Sequence, residues 1–258
     1  MSSNDLISII MPCYNCEMTI AQTIDSIIMQ TYENWELIII DDASSDNSRD
    51  IVTKYMYEDK RIQLLINQSN QGVSYTRNIG IARAIGDYLC FLDADDLWPD
   101  YKLSMQLKYM QDHQVSISVG YFVDFISDIN KGYIRKCPEN ITYKYLLSNN
   151  CVLFQTVMIT NDIKTKIHFE PQRHEDFILA LSLLKQNIAF GTINKVLAYR
   201  RRTNNSLTAN KFRSAYWRWR VYRKVLNMSF VRSSWHLCVY MAYMIYFKLD
   251  HFIKRIGE

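Results

Sequence analysis

The chain has 258 residues, 48% of them hydrophobic and 22% charged, with only 7 Gly and 4 Pro. This composition excludes disordered, collagen-like and low-complexity classes and allows one large domain, with or without an appendage. The net charge of +4 is unevenly placed: from Arg200 onward 13 Lys and Arg face only Asp250 and Glu258, whereas residues 1–199 hold 17 Lys and Arg against 24 Asp and Glu. Such asymmetry points to an anionic partner for the tail.

The opening MSSNDLISIIMPCYN lacks a basic start, and Pro12 breaks its short apolar stretch. It does not read as a secretory signal, so a cytoplasmic protein is expected. Residues 6–12 read as a first strand. A helix follows over Cys16 to Gln30, with Ile20, Thr23, Ile24, Ile27 and Ile28 on one face. Leu37 to Ile40 form a buried strand ending in Asp41-Asp42. Ser44, Ser45 and Asp46 supply cap residues for a helix to about Tyr57. Ile62 to Ile66 form a third strand, Gln71-Gly72-Val73 opens a helix to about Ala84, and residues 88–92 form a fourth strand. A helix is expected from Pro99 to about His113. Shorter strand-like runs follow at 115–119, 121–126, 156–160 and 196–199, with a helix at 177–185. Two helices are expected at 208–227 and about 230–255. The β-α-β alternation predicts an α/β, doubly wound, mostly parallel sheet with helices on both faces and a C-terminal helical appendage.

In such a sheet the strand ends converge on one edge, where ligands bind. Here the ends read Pro12-Cys13-Tyr14-Asn15, Asp41-Asp42-Ala43-Ser44-Ser45-Asp46, Asn67 with Asn70-Gln71-Gly72, and Asp93-Ala94-Asp95-Asp96. Packed carboxylates repel one another unless a cation or hydrogen-bond donors meet them, so a divalent ion bridging to phosphate suits the edge. No GxGxxG or GxxxxGK[ST] motif is present, which weakens dinucleotide and NTP-hydrolysis readings. A nucleoside diphosphate carrying a leaving group fits. Asp96 reads either as part of this cluster or as a helix cap. Cys13 and Cys16 have redox-motif spacing, but no second pair completes a zinc site, and buried or incidental thiols are the simpler reading.

Taken together, Pro12-x-Tyr14-Asn15, Asp41-Asp42-x-Ser44-x-Asp46, Asn70-x-Gly72, Arg77-Asn78, Asp93-x-Asp95-Asp96 and Glu175-Asp176 resemble glycosyltransferase family 2 over about residues 5–205. The resemblance implies a GT-A fold, an inverting mechanism and a nucleotide-sugar donor. It implies that Pro12, Tyr14, Asn15, Asp42, Arg77, Asp93, Ala94 and Asp95 form the donor site. Tyr14 then flanks the nucleoside, Asp42 accepts the base N–H, Asp93 lies near the ribose, and Asp95 ligates Mn2+ or Mg2+ on the diphosphate. Asp176 is the implied general base. Glu175, Trp98, Arg200 and Arg202 are expected on the acceptor or diphosphate side, although Arg200-Arg201-Arg202 also reads as a solvated basic turn. For Arg77, a buried structural pairing is the alternative to donor support. UDP is the preferred donor nucleotide, because an Asp fits uracil N3–H. Residues 1–205 are expected to be the catalytic domain, with the donor half at about 1–100 and the acceptor half at 101–205.

Residues 206–258 form a basic, aromatic tail in which Tyr216, Trp217, Trp219 and Tyr222 alternate with Lys and Arg. The apolar run from Trp235 to Phe247 is too short to span a bilayer. The tail therefore reads as a peripheral attachment to an anionic membrane surface on the cytoplasmic side, or as two helices packed on the domain with a solvated basic face. No motif supports nucleic-acid binding. A membrane location suits a glycan acceptor linked to a polyprenyl diphosphate, and the tail resembles that of family members that build bacterial surface polysaccharides. The competing functional readings are a catalytically inactive nucleotide-sugar or carbohydrate-binding module, and a nucleotidyltransferase, which lacks its Gly-rich basic loop here.

Overall fold

The computed structural model describes residues 4–149, 151–202 and 211–256. The first half alternates strand and helix: β1 (Ile7–Cys13), α1 (Ile20–Ile28), β2 (Trp35–Asp41), α2 (Ser48–Glu58), β3 (Ile62–Ile66), α3 (Val73–Arg83), β4 (Tyr88–Phe91) and α4 (Lys102–His113). The second half holds β5 (Ile117–Phe125), β6 (Tyr133–Arg135), α5 (Tyr143–Ser148), β7 (Met158–Thr160), α6 (Glu175–Lys185) and β8 (Gly191–Arg201). Helices α7 (Lys211–Arg220) and α8 (Phe230–Ile256) follow.

One sheet runs β3-β2-β1-β4-β7-β5-β6, and β8 pairs with the other side of β5. Strands β1 to β4 pair in parallel, β7 is antiparallel to both β4 and β5, and β8 is parallel to β5. The predicted mostly parallel sheet with C-terminal helices is therefore present, and the antiparallel pairs of β6 and β7 make it mixed. Alternation along β1 and β2 serves both faces. Ile9, Met11, Leu37 and Ile39 pack with α1 and α4 residues such as Ile24 and Leu107. Ile10, Ile38 and Ile40 pack with α3 and α6 residues such as Ile81 and Phe177. A strand buried on both faces must be apolar throughout, as LIII in β2 is. Gly80 lets α3 lie close to the sheet, since a Cβ there would come 2.4 Å from Ile10 Cγ2.

Several boundaries differ from the sequence reading. Helix α1 begins at Ile20 rather than Cys16, because residues 15–17 are hydrogen-bonded to the loop after β2. Ile28, expected on the buried face, lies at the end of α1 and is 38% exposed. The two runs at 115–126 merge into the single strand β5. Strand β8 is longer than 196–199, because it is a sheet edge and its early residues Asn194 and Lys195 face solvent. The predicted start of a helix at 208 and the domain boundary at 205/206 lie outside the described residues.

Candidate active site

Parallel pairing of β1 with β2 and β4 brings the ends of all three strands to one edge. A cleft of about 450 Å³ opens there, lined by Pro12, Tyr14, Asn15, Asp42, Asp93, Ala94 and Asp95. Cys13, Cys16, Thr19, Asn70, Gly72, Val73 and Thr76 complete it. Seven of the eight residues expected to form the donor site share this wall, and Arg77 does not.

The loops are tied to one another. Asn15, in left-handed backbone at φ 48°, donates its N–H to Ser44 Oγ at 2.9 Å and accepts Ser45 N–H at 2.8 Å. Cys16 N–H reaches Ser48 Oγ, and Glu17 N–H reaches Asp46. Asp41 is buried and accepts Arg49 Nε at 2.6 Å, so it orients the turn. Asp42 accepts three donors: Asn67 Nδ2 at 2.7 Å and the N–H groups of Gln71 at 2.9 Å and Gly72 at 2.7 Å. Gly72 presents its N–H with φ +86°, a conformation that favours glycine. Asp42 thus holds the loop into α3 and keeps about one of its roughly four acceptor positions for a ligand.

The Asp93–Asp96 turn is built as firmly. Ala94 carbonyl accepts the hydroxyls of Thr19 at 2.9 Å and Thr23 at 3.0 Å. Arg201, which sequence reasoning passed over in favour of its neighbours, donates its N–H to Asp96 at 2.8 Å and its Nε to Asp95 carbonyl at 3.1 Å. Asp96 is therefore a staple to β8 and not a helix cap. Protein packed around the cleft floor and the nearby Asp93 carboxylate push the Asp95 carboxyl up to about 6. Burial, then Asp95 and Asp93, raise Asp96 well above the usual carboxylate range.

Arg77 is 2% exposed and organises the other carboxylates. Its Nη2 donates to Asp93 at 2.7 Å, and its Nη1 donates to Asp176 at 2.6 Å and Glu175 at 3.2 Å. Burial opposes its charge, and the three carboxylates outweigh that cost and hold its protonation firm. Arg77 consequently ties three carboxylates together behind the cleft and is not among its lining residues. Asp176 and Asp93 stand one guanidinium apart. His174, in left-handed backbone at φ 64°, turns the chain so that Glu175 and Asp176 open α6. Burial pushes the Asp176 carboxyl up to about 7, with the Arg77 charge pulling against it. Asp176 Oδ1 takes the Arg77 contact, and Oδ2 accepts nothing among the described residues. Burial, then Arg218, hold His174 down to about 4, so it is neutral near pH 7.

Three residues expected on the acceptor or diphosphate side, Trp98, Arg200 and Arg202, do not line this cleft. Trp98 is 4% exposed, donates Nε1 to Gln155 carbonyl at 2.8 Å and lies under Lys102 Nζ, because the turn buries it beneath the site. Arg200 is engaged with Asp124 at 2.6 Å and 2.9 Å. Arg202 lines a second cavity beside α8. Gln155, missed in the sequence, donates to Asp93 from below. No local pattern marks it, since only the fold brings it there.

Cys13 Sγ and Cys16 Sγ, both free thiols, lie 2.8 Å apart in the cleft wall. The hydrogen bond between them lowers Cys16 and raises Cys13.

Among the described residues no group of three His, Cys, Asp or Glu side chains forms a complete metal site. Asp95 is exposed in the cleft beside two further acids, and its raised carboxyl is one that a hard cation would relieve. One carboxylate with open positions fits an ion that takes its remaining ligands from a diphosphate and water.

The family model for glycosyl transferase family 2 matches residues 8–165, which hold the cleft and its acids. The chain belongs to glycosyltransferase family 2. This glycosyltransferase is 35% identical over 232 residues to TuaG of Bacillus subtilis, named for teichuronic acid biosynthesis, covering 89% of this chain and 92% of TuaG. It is 37% identical over 219 residues to WfgD of Escherichia coli, a UDP-Glc:alpha-D-GlcNAc-diphosphoundecaprenol beta-1,3-glucosyltransferase, covering 84% of this chain and 85% of WfgD. Among solved structures it resembles residues 1–349 of S. aureus TarS in complex with UDP-GlcNAc, with a TM-score of 0.69, 18% identity, and coverage of 91% of this chain and 71% of that TarS fragment. It likewise resembles the mannosyltransferase PcManGT of Pyrobaculum calidifontis, in complex with GDP-Man and Mn2+, with a TM-score of 0.69, 18% identity, and coverage of 92% and 73%. At that identity the likeness is one of fold.

Proposed function

We propose that this glycosyltransferase moves a hexose or N-acetylhexosamine from a UDP-sugar to a hydroxyl of a glycan carried on a polyprenyl diphosphate, in bacterial surface polysaccharide synthesis. The observation that carries the reading is the shared guanidinium. Arg77 joins Asp93, in the wall of the acidic cleft, to Asp176, whose carboxyl lies near neutrality. Donor cleft and base are thereby held together. WfgD acts on a UDP-glucose donor and a lipid-diphosphate acceptor and spans most of the same length. The uracil suits the remaining acceptor capacity of Asp42, and Tyr14, half exposed at the rim, suits stacking on the base.

Asp95 would hold Mn2+ or Mg2+, which supplies charge neutralisation for the departing diphosphate. The acceptor hydroxyl attacks the anomeric carbon from the face opposite the diphosphate. Asp176 Oδ2 takes the hydroxyl proton as the new C–O bond forms and the bond to the diphosphate breaks. Arg77 keeps the carboxylate oriented and prevents Asp176 and Asp93 from repelling one another apart. One displacement gives inversion.

The tail supports attachment at a membrane surface. Arg218, buried between Phe177 and Tyr240, and Tyr222, which donates to Leu147 carbonyl, dock α7 and the turn after it on the domain. On the other side, Phe230 at 66%, Val231 at 77% and Trp235 at 67% are exposed beside Lys224 and Arg232. Exposed aromatic and basic groups together suit an anionic lipid interface. No helix among the described residues is long and apolar enough to cross a membrane.

A thermal-shift screen of nucleotide sugars with Mn2+ tests the donor. A ligand at 100 times its Kd should add about 2.7 kcal/mol of stability. If no UDP-sugar stabilises more than its GDP or dTDP counterpart, the UDP assignment fails. Salt-sensitive flotation with vesicles containing anionic lipid tests the membrane face, and its absence would discard that part.

A further inference from the structure

Two thiols that the proposed reaction does not use, those of Cys13 and Cys16, line the cleft at the strand ends. Their sulfurs lie 2.8 Å apart. The fold sets this distance. Cys13 is the last residue of β1, held in register with Asp41 of β2 and 2% exposed. The chain then turns through Asn15 in left-handed backbone. That turn brings Cys16 back beside Cys13 and leads into α1, with the Cys16 carbonyl accepting the N–H groups of Thr19 at 2.9 Å and Ile20 at 3.0 Å. A buried thiol and a partly exposed one therefore share one wall.

Such a pair suits thiol–disulfide exchange, which needs an attacking thiolate within reach of a small disulfide and a second thiol close enough to resolve the mixed disulfide. Cys16 meets the first need. It is the more exposed of the two, and the hydrogen bond with Cys13, ahead of burial, pulls it below the ordinary thiol value. Cys13 meets the second by contact. An S–S bond is about 2.0 Å long, so the sulfurs have less than about 1 Å to close. Cys90, Cys137 and Cys151 are buried, Cys238 is exposed on α8, and none of these four lines the cleft.

We propose that Cys13 and Cys16 form a thiol–disulfide site that reacts reversibly with small disulfides such as oxidised glutathione, and that the oxidised form holds the nucleotide more weakly. The Cys16 sulfur attacks one sulfur of the small disulfide and expels a thiolate. The Cys13 sulfur then attacks the Cys16 sulfur and expels the second thiolate. Each departing thiolate takes up the proton that its attacker gave up. Two protein thiols and one small disulfide become one protein disulfide and two small thiols, and two electrons pass to the small molecule.

Cys13 is fixed by strand pairing, so the new bond draws Cys16 toward it. The Cys16 N–H is tied to Ser48 Oγ at 2.8 Å and the Asn15 N–H to Ser44 Oγ at 2.9 Å. Moving Cys16 displaces both ties, and with them Tyr14 and the loop after Asp42, where the nucleoside is proposed to sit. The effect on nucleotide affinity rests on that donor reading; the exchange itself does not. By linkage, the factor that oxidation takes from nucleotide affinity is the factor by which bound nucleotide favours the dithiol.

Equilibration of the full chain in mixtures of reduced and oxidised glutathione, read by peptide mass spectrometry and by calorimetric titration with UDP, tests the proposal. In excess oxidised glutathione the Cys13–Cys16 peptide should lose two hydrogens and regain them with dithiothreitol. UDP should bind the oxidised chain about 10-fold more weakly, a usual size for coupled sites. Saturating UDP should then raise the reduction potential of the pair by about 30 mV, the same factor for a two-electron couple. Cys16→Ser, which retains exposed Cys238, should show a UDP affinity indifferent to oxidised glutathione. A pair that stays reduced in oxidised glutathione alone, a mixed disulfide that persists on Cys16, or a Cys13–Cys16 disulfide with unchanged UDP affinity overturns the proposal. A reduced chain that binds no UDP removes the donor assignment and the nucleotide effect with it, while the mass of the peptide still decides the exchange.

Discussion

Arg77 Nη1 lies 2.6 Å from Asp176 Oδ1, across 99 residues of sequence, and its other terminal nitrogen holds Asp93. Removing this cation leaves three carboxylates facing one another in a partly dry site. Arg77→Met is expected to cost about 3–5 kcal/mol of stability, the size of an uncompensated buried charge. Urea unfolding of the variant checks this, and a loss below about 1 kcal/mol would show that the cluster relaxes into water.

Asp176→Asn keeps the shape of the side chain and removes its basicity. Turnover is expected to fall by about 100-fold or more, with UDP-sugar affinity kept. Single-turnover kinetics measure the chemical step directly, and near-normal rates in the variant would remove Asp176 from the role of base.

The two raised carboxyls set opposite trends with pH. Asp176 and Asp95 titrate near 7 and 6 in the folded protein and near the ordinary value of 3.8 when unfolded. Between about pH 4 and 7 the folded state holds protons that the unfolded chain has released, so stability should decline as pH rises through that window. Turnover should rise over pH 6 to 7, because the base must be ionised. Asp95→Asn is expected to flatten the part of the stability profile near pH 6 and to abolish Mn2+-dependent donor binding. A flat profile in the wild-type protein, or Mn2+ titration unaltered by the variant, contradicts the assignment.

Cys16 is the half-exposed member of the thiol pair in the cleft proposed to hold the donor, and its hydrogen bond with Cys13 favours the thiolate. Maleimide should therefore modify Cys16 before Cys13, and UDP should slow the reaction. Mass spectrometry of the modified chain reads both, and labelling indifferent to UDP places the nucleotide elsewhere.

Local pattern and strand periodicity were enough for much of this protein. The runs LISIIMP, LIII and YLCF had to be buried strands, and the helices between them made those strands parallel. Parallel strands end on one edge, so Tyr14, Asn15, Asp42, Asp93 and Asp95 were bound to meet there. That conclusion needs no long-range information, because β-α-β chirality and strand burial are short-range consequences of sequence. The same reasoning could not distinguish a side chain that lines the cleft from one beneath it. Arg77, Trp98 and Asp96 looked like ligand contacts or a cap, and packing of α3, α4 and β8 turned them inward to Asp176, Gln155 and Arg201. The sequence could not foresee that Arg201 rather than its neighbours would hold the acidic turn, that Gln155 would reach Asp93, or that α8 would close a cavity against β6 and β8. Each of these contacts joins segments with no shared periodicity. Which partner a buried charge finds depends on how whole elements pack, and that is settled only when the chain has folded.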